Sequence, residues 1–548
     1  MTASEPTETE RLGPTGLYAA LVLFTGLGVV QAACAGPQRT FDGEVVWHDN
    51  DRRPIDRPTP RQLSSTWEMV DNLLFRPLSE ATHPDPPERA ANANAMGGVP
   101  NSSWYTNRMT ARPLPPRRVA RGPCSREEIP SGGRWTLIAP RAGTDRPDFV
   151  AHHSDSPGRY VLRFGADDQP ERATAADAIG ARIYWAAGYH VPCNRVVYLD
   201  PEKELAVEGS PDWHDRFRTI LDRAPKDARG RVRATAVRLP SHRELGPFQF
   251  EGTRPDDPND VIPHENRREL RGSRLFAAWL GHVDAHPSHT TTTFVSRPDS
   301  RRGYVRHYFI DWTDCLGATP YSEELDRRLG HSYLVDIGQI LGDYFTLGLL
   351  HRPWRTYAGE QLIFGYFDAE HFSPAKWRPS YPNPAFRHMR PGDAFWAASI
   401  IARFTDEHVR AIVERGRFSH PEHAEYVAEV LIERRDTIVE HYLGRMSPLV
   451  APSIRDGRLC TTDLMVRHGY ARPEKSRYEI AGRGGPWRRV GSVEGARVCT
   501  ALKKDGASAY RVVRMRVRRS SEGGTARPVA FHVRQRPEGW AVAGIVRR

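Results

Sequence analysis

Hydrophobic and polar positions change rhythm several times along this chain. Residues 17–30 (LYAALVLFTGLGVV) are an unbroken apolar run, and from 36 to about 130 Pro, Asp, Arg and Asn dominate. The latter stretch predicts an extended segment that drapes over the main body. From Trp135 the pattern becomes that of packed elements. WTLIAP and RYVLRF read as strands, with a turn at Ser156-Pro157-Gly158 before the second. In ERATAADAIGARIYWAAGY, residues Ala176, Ile179, Ile183 and Ala187 recur at helical spacing and Gly188 supplies a stop. PCNRVVYL is a further strand.

Between about 265 and 445 the period is mostly helical. ELRGSRLFAAWLGH gathers Leu270, Leu275, Ala278 and Trp279 on one face, and EYVAEVLIERRDTIVEHYL does the same with Val427, Leu431, Ile438 and Tyr442. YLVDIGQILGDYFTLGLL and DAFWAASIIARF read as helices between them, and a hairpin, FVSRPDSRRGYVRHYFIDW, interrupts the run. After Pro448 the period is two: Val513, Met515 and Val517 alternate with Arg514, Arg516 and Arg518, which predicts a small sheet with one basic face. The expected architecture is α+β. It divides into 1–35, a signal; 36–130, the extended segment; 131–240, a β-rich lobe; 241–447, a helical lobe; and 448–548, a C-terminal β module.

Composition narrows the classes. With 548 residues, 39% of them hydrophobic, the chain can build several cores and is not a disordered one. Its 45 glycines and 45 prolines predict long loops, and a single apolar run excludes a polytopic membrane protein. The net charge of +11 is carried almost wholly by arginine. Those arginines are interspersed with Asp and Glu, so they read as a solvated surface with no nucleic-acid partner.

The first residues look like an export signal. The apolar run is too short to span a bilayer comfortably, and Gln31-Ala32-Ala33-Cys34 resembles a lipobox in which Cys34 is lipidated. Cleavage after Ala35, or an uncleaved anchor, are the other readings of the same residues. The expectation is a lipid-anchored protein of the cell envelope, on its periplasmic or outer-membrane face, with the membrane and an envelope protein as partners. The cysteines contain no C-x-x-C pair, which argues against a zinc ribbon. Cys460 and Cys499 share one β-rich segment and either bridge in an oxidising compartment or remain two buried thiols.

A small β-rich lobe holding one helix, followed by a helical lobe opened by a hairpin, is the layout of a protein kinase. Phosphoryl transfer needs a cation on the phosphates, a carboxylate orienting that cation, a catalytic Asp and metal ligands. In GHVDAHPSHTTTTFV, Asp284 takes the catalytic position and His289, five residues on, the place where a metal-binding Asn is usual. Asp311, ending the strand YFI, takes the metal-binding Asp position. Arg163 in RYVLRF stands where a phosphate-gripping Lys belongs, no lysine preceding Lys203, and Asp177 in the next helix stands for its partner Glu. Arg163 and Asp177 read equally as a plain ion pair between strand and helix.

The runs VPNSSWYTNR, GPFQFEGTRPDDPNDVIPHENRRELRG, LFAAWLGHVDAHPSHT and VRHYFIDWTDCLG resemble a family of exported bacterial (lipo)proteins. That family is in turn similar to atypical kinases of the HipA toxin and spore-coat kinase kind. The family's pattern reads Lys, Glu, Asp, Asn and Asp in the five places that here hold Arg163, Asp177, Asp284, His289 and Asp311, so only the aspartates match. The resemblance implies a two-lobed, protein-kinase-like core and a divergent kinase-like envelope protein, either a weak kinase or a pseudokinase. If it is active, ATP with Mg2+ or Mn2+ is its cofactor; otherwise it needs none. Two other classes compete: a non-catalytic lipoprotein that binds a partner through its β module, and a metal-dependent hydrolase using His282, His286 and His289, although Pro287 breaks the helix such a cluster would need.

Overall fold

The computed structural model describes residues 50–548, apart from 83–87, 126–128, 131, 141–147, 166–168, 241–242, 318–322, 358–362, 483, 503–508, 520–525 and 548. Cys34 and the apolar run lie outside the described residues. The described residues belong to one compact unit, Gly43–Arg548. It is α+β, and among the described residues no helix is long and apolar enough to cross a membrane.

Strands β1 (Trp135–Pro140), β2 (Asp148–His153), β3 (Ser156–Phe164), β4 (Asn194–Leu199), β5 (Leu205–Val207) and β6 (Val232–Arg238) make one mixed sheet in the order β4-β6-β3-β2-β1-β5. The turn preceding β3 lies at Ser154 and Asp155, not at Ser156-Pro157-Gly158, which already belong to the strand. Helix α1 (Arg172–Ala187) packs on this sheet and is buried all round, ending at Gly188 with φ 132°. A second helix, α2 (Pro211–Arg223), is amphipathic: Trp213, Phe217, Ile220 and Leu221 recur at helical spacing, and the buried Phe217 packs on Phe149 and Phe164 while Ile220 and Leu221 lie partly buried against the same core.

Strands β7 (Arg243–Gly246), β8 (Thr290–Ser296) and β9 (Gly303–Phe309) form a three-stranded sheet beside the helical region. Helix α3 (Arg268–Leu280), α4 (Pro391–Ile401), α5 (Asp406–Val413) and the 25-residue α6 (Pro421–Arg445) share the largest core with α1. The run YLVDIGQILGDYFTLGLL is helical only over Ile337–Phe345. Tyr344, Phe345, Leu347 and Leu349 are exposed there, because no described element faces them.

The segment before β1 lies along the body and is fastened by polar contacts. Asn92 Oδ1 accepts from the Arg268 amide at 2.8 Å, and Arg108 Nη1 donates to the Trp185 carbonyl of α1 at 2.7 Å. Three of the four runs that carry the resemblance meet here. Trp104 stacks on His307 with ring centroids 3.4 Å apart, Arg267 lies over Trp104, and Asp260 joins His264 at 2.7 Å. Burial opposes the Asp260 charge, yet His264 and Arg267 hold its carboxyl well below the usual range.

After α6 come β10 (Leu449–Arg455), β11 (Arg458–Asp463), β12 (Ser476–Ala481), β13 (Arg488–Arg489), β14 (Ser492–Glu494), β15 (Arg497–Ala501), β16 (Tyr510–Arg519), β17 (Val529–Arg536) and β18 (Gly539–Arg547). They form a four-stranded sheet, β10-β11-β15-β14, and a five-stranded sheet, β13-β12-β16-β17-β18, with an apolar core of their own. On β16, Val513, Met515 and Val517 turn inward. Outside, Arg516 and Arg518 meet Glu479 at 2.7 and 3.2 Å, and Arg514 and Arg516 lie over Trp487. The basic face is therefore partly neutralised from within. Cys460 and Cys499 lie opposite each other on β11 and β15 with their sulfurs bonded. A second disulfide, Cys124–Cys193, closes a separation of 69 residues and had no signal in the sequence spacing.

Candidate functional site

The site is assembled where β3, α1 and the residues after β9 meet. Arg163, near the end of β3, is 1% exposed and its guanidinium is shared among three carboxylates. Nη1 donates to Asp177 Oδ1 of α1 at 2.9 Å, Nε to Asp148 Oδ2 of β2 at 3.3 Å, and Nη2 lies 3.4 Å from Asp311 Oδ2. Nη1 also donates to the Ile310 carbonyl at 2.9 Å. Asp148 is the residue directly across from Arg163 in the β2–β3 ladder, so register alone places it there.

The electrostatics follow from this packing. Burial alone would lower the Arg163 pKa, but Asp177, Asp311 and Asp148 carry it above its ordinary value. Burial pushes the Asp177 carboxyl up, against the pull of Arg163. Asp311 is further fixed by Thr313, whose amide and hydroxyl donate to Oδ1 at 3.0 and 2.7 Å. Arg172 of α1 donates to the Thr313 and Cys315 carbonyls, both at 2.8 Å, and so ties this segment to the helix. Trp312, fully buried between them, lies against Gly180 of α1.

Ile310 links this group to a second one. Its amide donates to the His289 carbonyl at 3.0 Å while its own carbonyl takes Arg163. Asp314, in the segment after β9, accepts through Oδ2 from the amide of Asp284, in the loop after α3, at 2.8 Å. Its Oδ1 faces His282 Nε2 at 3.3 Å and His289 Nδ1 at 3.7 Å, and the two imidazole nitrogens are 3.1 Å apart. Cys315, also buried, has its sulfur within 4.8 Å of the His282 and Asp314 donors. Burial pushes its thiol well above the usual range.

The Asp284 side chain is half-buried and accepts from Ser380 Oγ at 3.1 Å. Ser380 Oγ in turn lies 3.0 Å from His286 Nε2. His286 stacks on Tyr381, whose hydroxyl donates to Glu68 at 2.6 Å, and burial raises the Glu68 pKa to about 7. This is not the arrangement of a serine hydrolase, because the carboxylate bonds to the serine hydroxyl itself rather than to the far side of the imidazole.

The structure thus brings Arg163, Asp177 and Asp311 into contact. It places His289 with His282 and Asp314, while the described contacts of Asp311 are to Arg163 and Thr313. It also divides the histidine cluster: His282 and His289 converge, and His286 turns to Ser380 and Tyr381. Sequence reasoning missed Asp148, which depends on strand register, and Asp314, although two aspartates three apart around Trp312 were there to be noticed. His153 of β2 is buried against Trp135.

No known protein family matches the chain, and no curated protein does. Among solved structures, the proinflammatory kinase CtkA of Helicobacter pylori is similar over 56% of this chain and 94% of its own, at 10% sequence identity and a TM-score of 0.30. So slight a likeness assigns no family, and the reading of the site rests on its own geometry.

Proposed function

We propose that this chain is a divergent kinase-like protein of the cell envelope that binds a nucleotide with a divalent cation at the Arg163 group. The observation that carries this reading is the bridge from Arg163 in β3 to Asp177 in α1 and to Asp311 after β9. Phosphoryl transfer is catalysed by positioning and charge, and these are the elements from which it positions a cation, its orienting acid and a metal-binding acid. Asp311 and Asp148 offer the hard oxygen donors that Mg2+ or Mn2+ prefers, whereas the His289 nitrogen faces a different group. The bound cation would neutralise phosphate charge.

The protein's own residues have distinct parts. Arg163 grips phosphate only by releasing a carboxylate, since its described N–H groups already have partners. That requirement favours weak or altered transfer over a fast kinase. Asp284, oriented through Ser380 by His286, would accept the proton of an acceptor hydroxyl. Two disulfides fit an oxidising compartment and support export, with lipidation at Cys34 as the anchor.

The test is thermal unfolding of the full chain with ATP or ADP and Mg2+ or Mn2+, beside Asp311→Asn. Ligand at about a hundred times its Kd stabilises by roughly 2.7 kcal/mol. A shift that needs both metal and Asp311 is the expected result. No shift with either metal sinks the nucleotide reading.

A second reading, a metal centre in the histidine loop, is favoured by one geometric fact. His282 Nε2, His289 Nδ1 and Asp314 Oδ1 form a triangle with sides of 3.1, 3.3 and 3.7 Å. The ligand–ligand edges of a tetrahedral zinc site are ~3.3–3.7 Å. Cys315, whose sulfur lies within 4.8 Å of the His282 and Asp314 donors, is the candidate fourth donor, and four protein donors would make a closed, structural centre rather than a hydrolytic one. Protein prepared with Co2+ in place of zinc should show visible ligand-field bands and a thiolate charge-transfer band that Cys315→Ser removes. A colourless protein without bound metal leaves a hydrogen-bonded His–His–Asp relay in its place.

A further inference from the structure

On another flank of α1 four stretches of chain bring arginines to one cleft of about 780 Å³. Arg117, Arg118 and Arg121 come from the helix Pro116–Arg121, Arg195 from β4, and Arg415 and Arg417 from the turn after α5. Arg182, five residues beyond Asp177 and hence ~140° further round the helix, forms the floor. Glu414 is the single acid among the described lining residues.

These cations are held by neutral groups. Arg182 is 4% exposed and donates to the Ala120 and Ala178 carbonyls at 2.6 and 2.7 Å and to the Asn194 side chain at 3.2 Å. Arg118 stacks over Trp185 at 4.0 Å and Arg417 over Tyr198 at 4.9 Å. Arg195 donates to the Ile129 carbonyl. Among the described residues none of the seven makes a carboxylate ion pair, whereas Arg163, Arg233, Arg268 and Arg435 elsewhere all do. Burial above all, with Arg415 and Arg195 adding to it, pushes the Arg182 pKa down to about 9. The disulfide Cys124–Cys193 joins the loop after the first arginine helix to the start of β4 and so fixes two walls.

Carbonyls and aromatic faces orient guanidinium groups without cancelling their charge, which leaves planar N–H forks for an oxyanion. A volume of this size suits a small molecule. We propose that this cleft binds a small ligand bearing two or more phosphate groups. The proposal is independent of the nucleotide reading, since it uses none of the residues around Arg163.

The test is calorimetric titration of the full, oxidised chain with sodium tripolyphosphate at ~0.15 M salt, where surface attraction is screened. Saturable binding is expected, weakened about tenfold or more in Arg121→Gln/Arg415→Gln. Both side chains are exposed, so the unliganded double variant should unfold at the same temperature as the parent. Binding that survives in this variant but disappears in Asp311→Asn belongs to the Arg163 group and overturns the proposal. So does the absence of binding, an equal response to sulfate at matched ionic strength, or tighter capture of polyglutamate than of tripolyphosphate.

Discussion

Replacing Arg163 by Met should destabilise the protein by roughly 3–5 kcal/mol, because breaking a buried ion pair leaves its acids without their cation. Here three carboxylates share that cation: Asp177, Asp148 and Asp311, all at most 3% exposed. The Ile310 carbonyl also loses a donor. Methionine fills much of the volume, so the loss is electrostatic rather than a cavity. Asp177→Asn in the Met background removes one of the stranded charges, and the double variant should be less destabilised than the sum of the singles, by about 1 kcal/mol or more. Arg163→Lys should fall between, since one ammonium group cannot span the partners of a planar fork. Chemical unfolding followed by tryptophan fluorescence measures all four. A Met variant as stable as the parent would mean the cluster contributes nothing to the fold.

The second large effect concerns Gly180. An alanine in the middle of a helix ordinarily adds about 0.5–1 kcal/mol of stability relative to glycine. At position 180 the new Cβ would fall on Trp312 Cγ and Cδ1, closer than any real contact. Trp312 is fully buried and has nowhere to retreat, so Gly180→Ala should cost roughly 2–3 kcal/mol by overpacking. Gly338 is the control: in the exposed helix Ile337–Phe345 its Cβ would meet only Asp336 at 3.4 Å, and alanine there should be neutral or stabilising. Trimming the indole with Trp312→Leu should relieve part of the Gly180→Ala penalty. Because Trp312 follows Asp311, the Gly180→Ala protein should also lose any metal-dependent nucleotide shift. Equal thermal midpoints for Gly180→Ala and Gly338→Ala would refute the packing argument.

The two effects belong to one arrangement. Gly180 lets the Trp312 indole lie against α1, the indole sets where Asp311 stands, and Asp311 then reaches Arg163. A single absent methyl group therefore helps to place a carboxylate that lies 131 positions further along the chain.

The parts of this architecture with a strong local period were legible from residue order. The buried helix α1 with its Gly188 stop, the β8–β9 hairpin, the long α6 and the alternation of β16 all follow from spacing. Other elements went unread: helix α2 carries a period, at Trp213, Phe217, Ile220 and Leu221, inside a mostly charged run, and β2 lies in a stretch of mixed composition. The apolar run near residue 340 reads as a core helix, yet most of it faces solvent, because periodicity records which side is apolar and not whether anything covers it.

The candidate site divides in the same way. Residue order and type alone singled out Arg163, Asp177, Asp284 and Asp311, because a strand, a helix and a hairpin in that sequence leave few places for a phosphate-handling set. The assignment of His289 depended on its distance from Asp284 along the chain, and the fold gave that imidazole to His282 and Asp314 instead. Asp148 enters through strand register, Asp314 through the path of the chain after β9, and the Cys124–Cys193 bridge and the arginine cleft through the meeting of distant segments. Local hydrophobic period and turn chemistry act within a few residues, so the sequence by itself determined the elements. Which charges face one another is decided only when those elements pack, since burial and neighbouring charge act across space rather than along the chain.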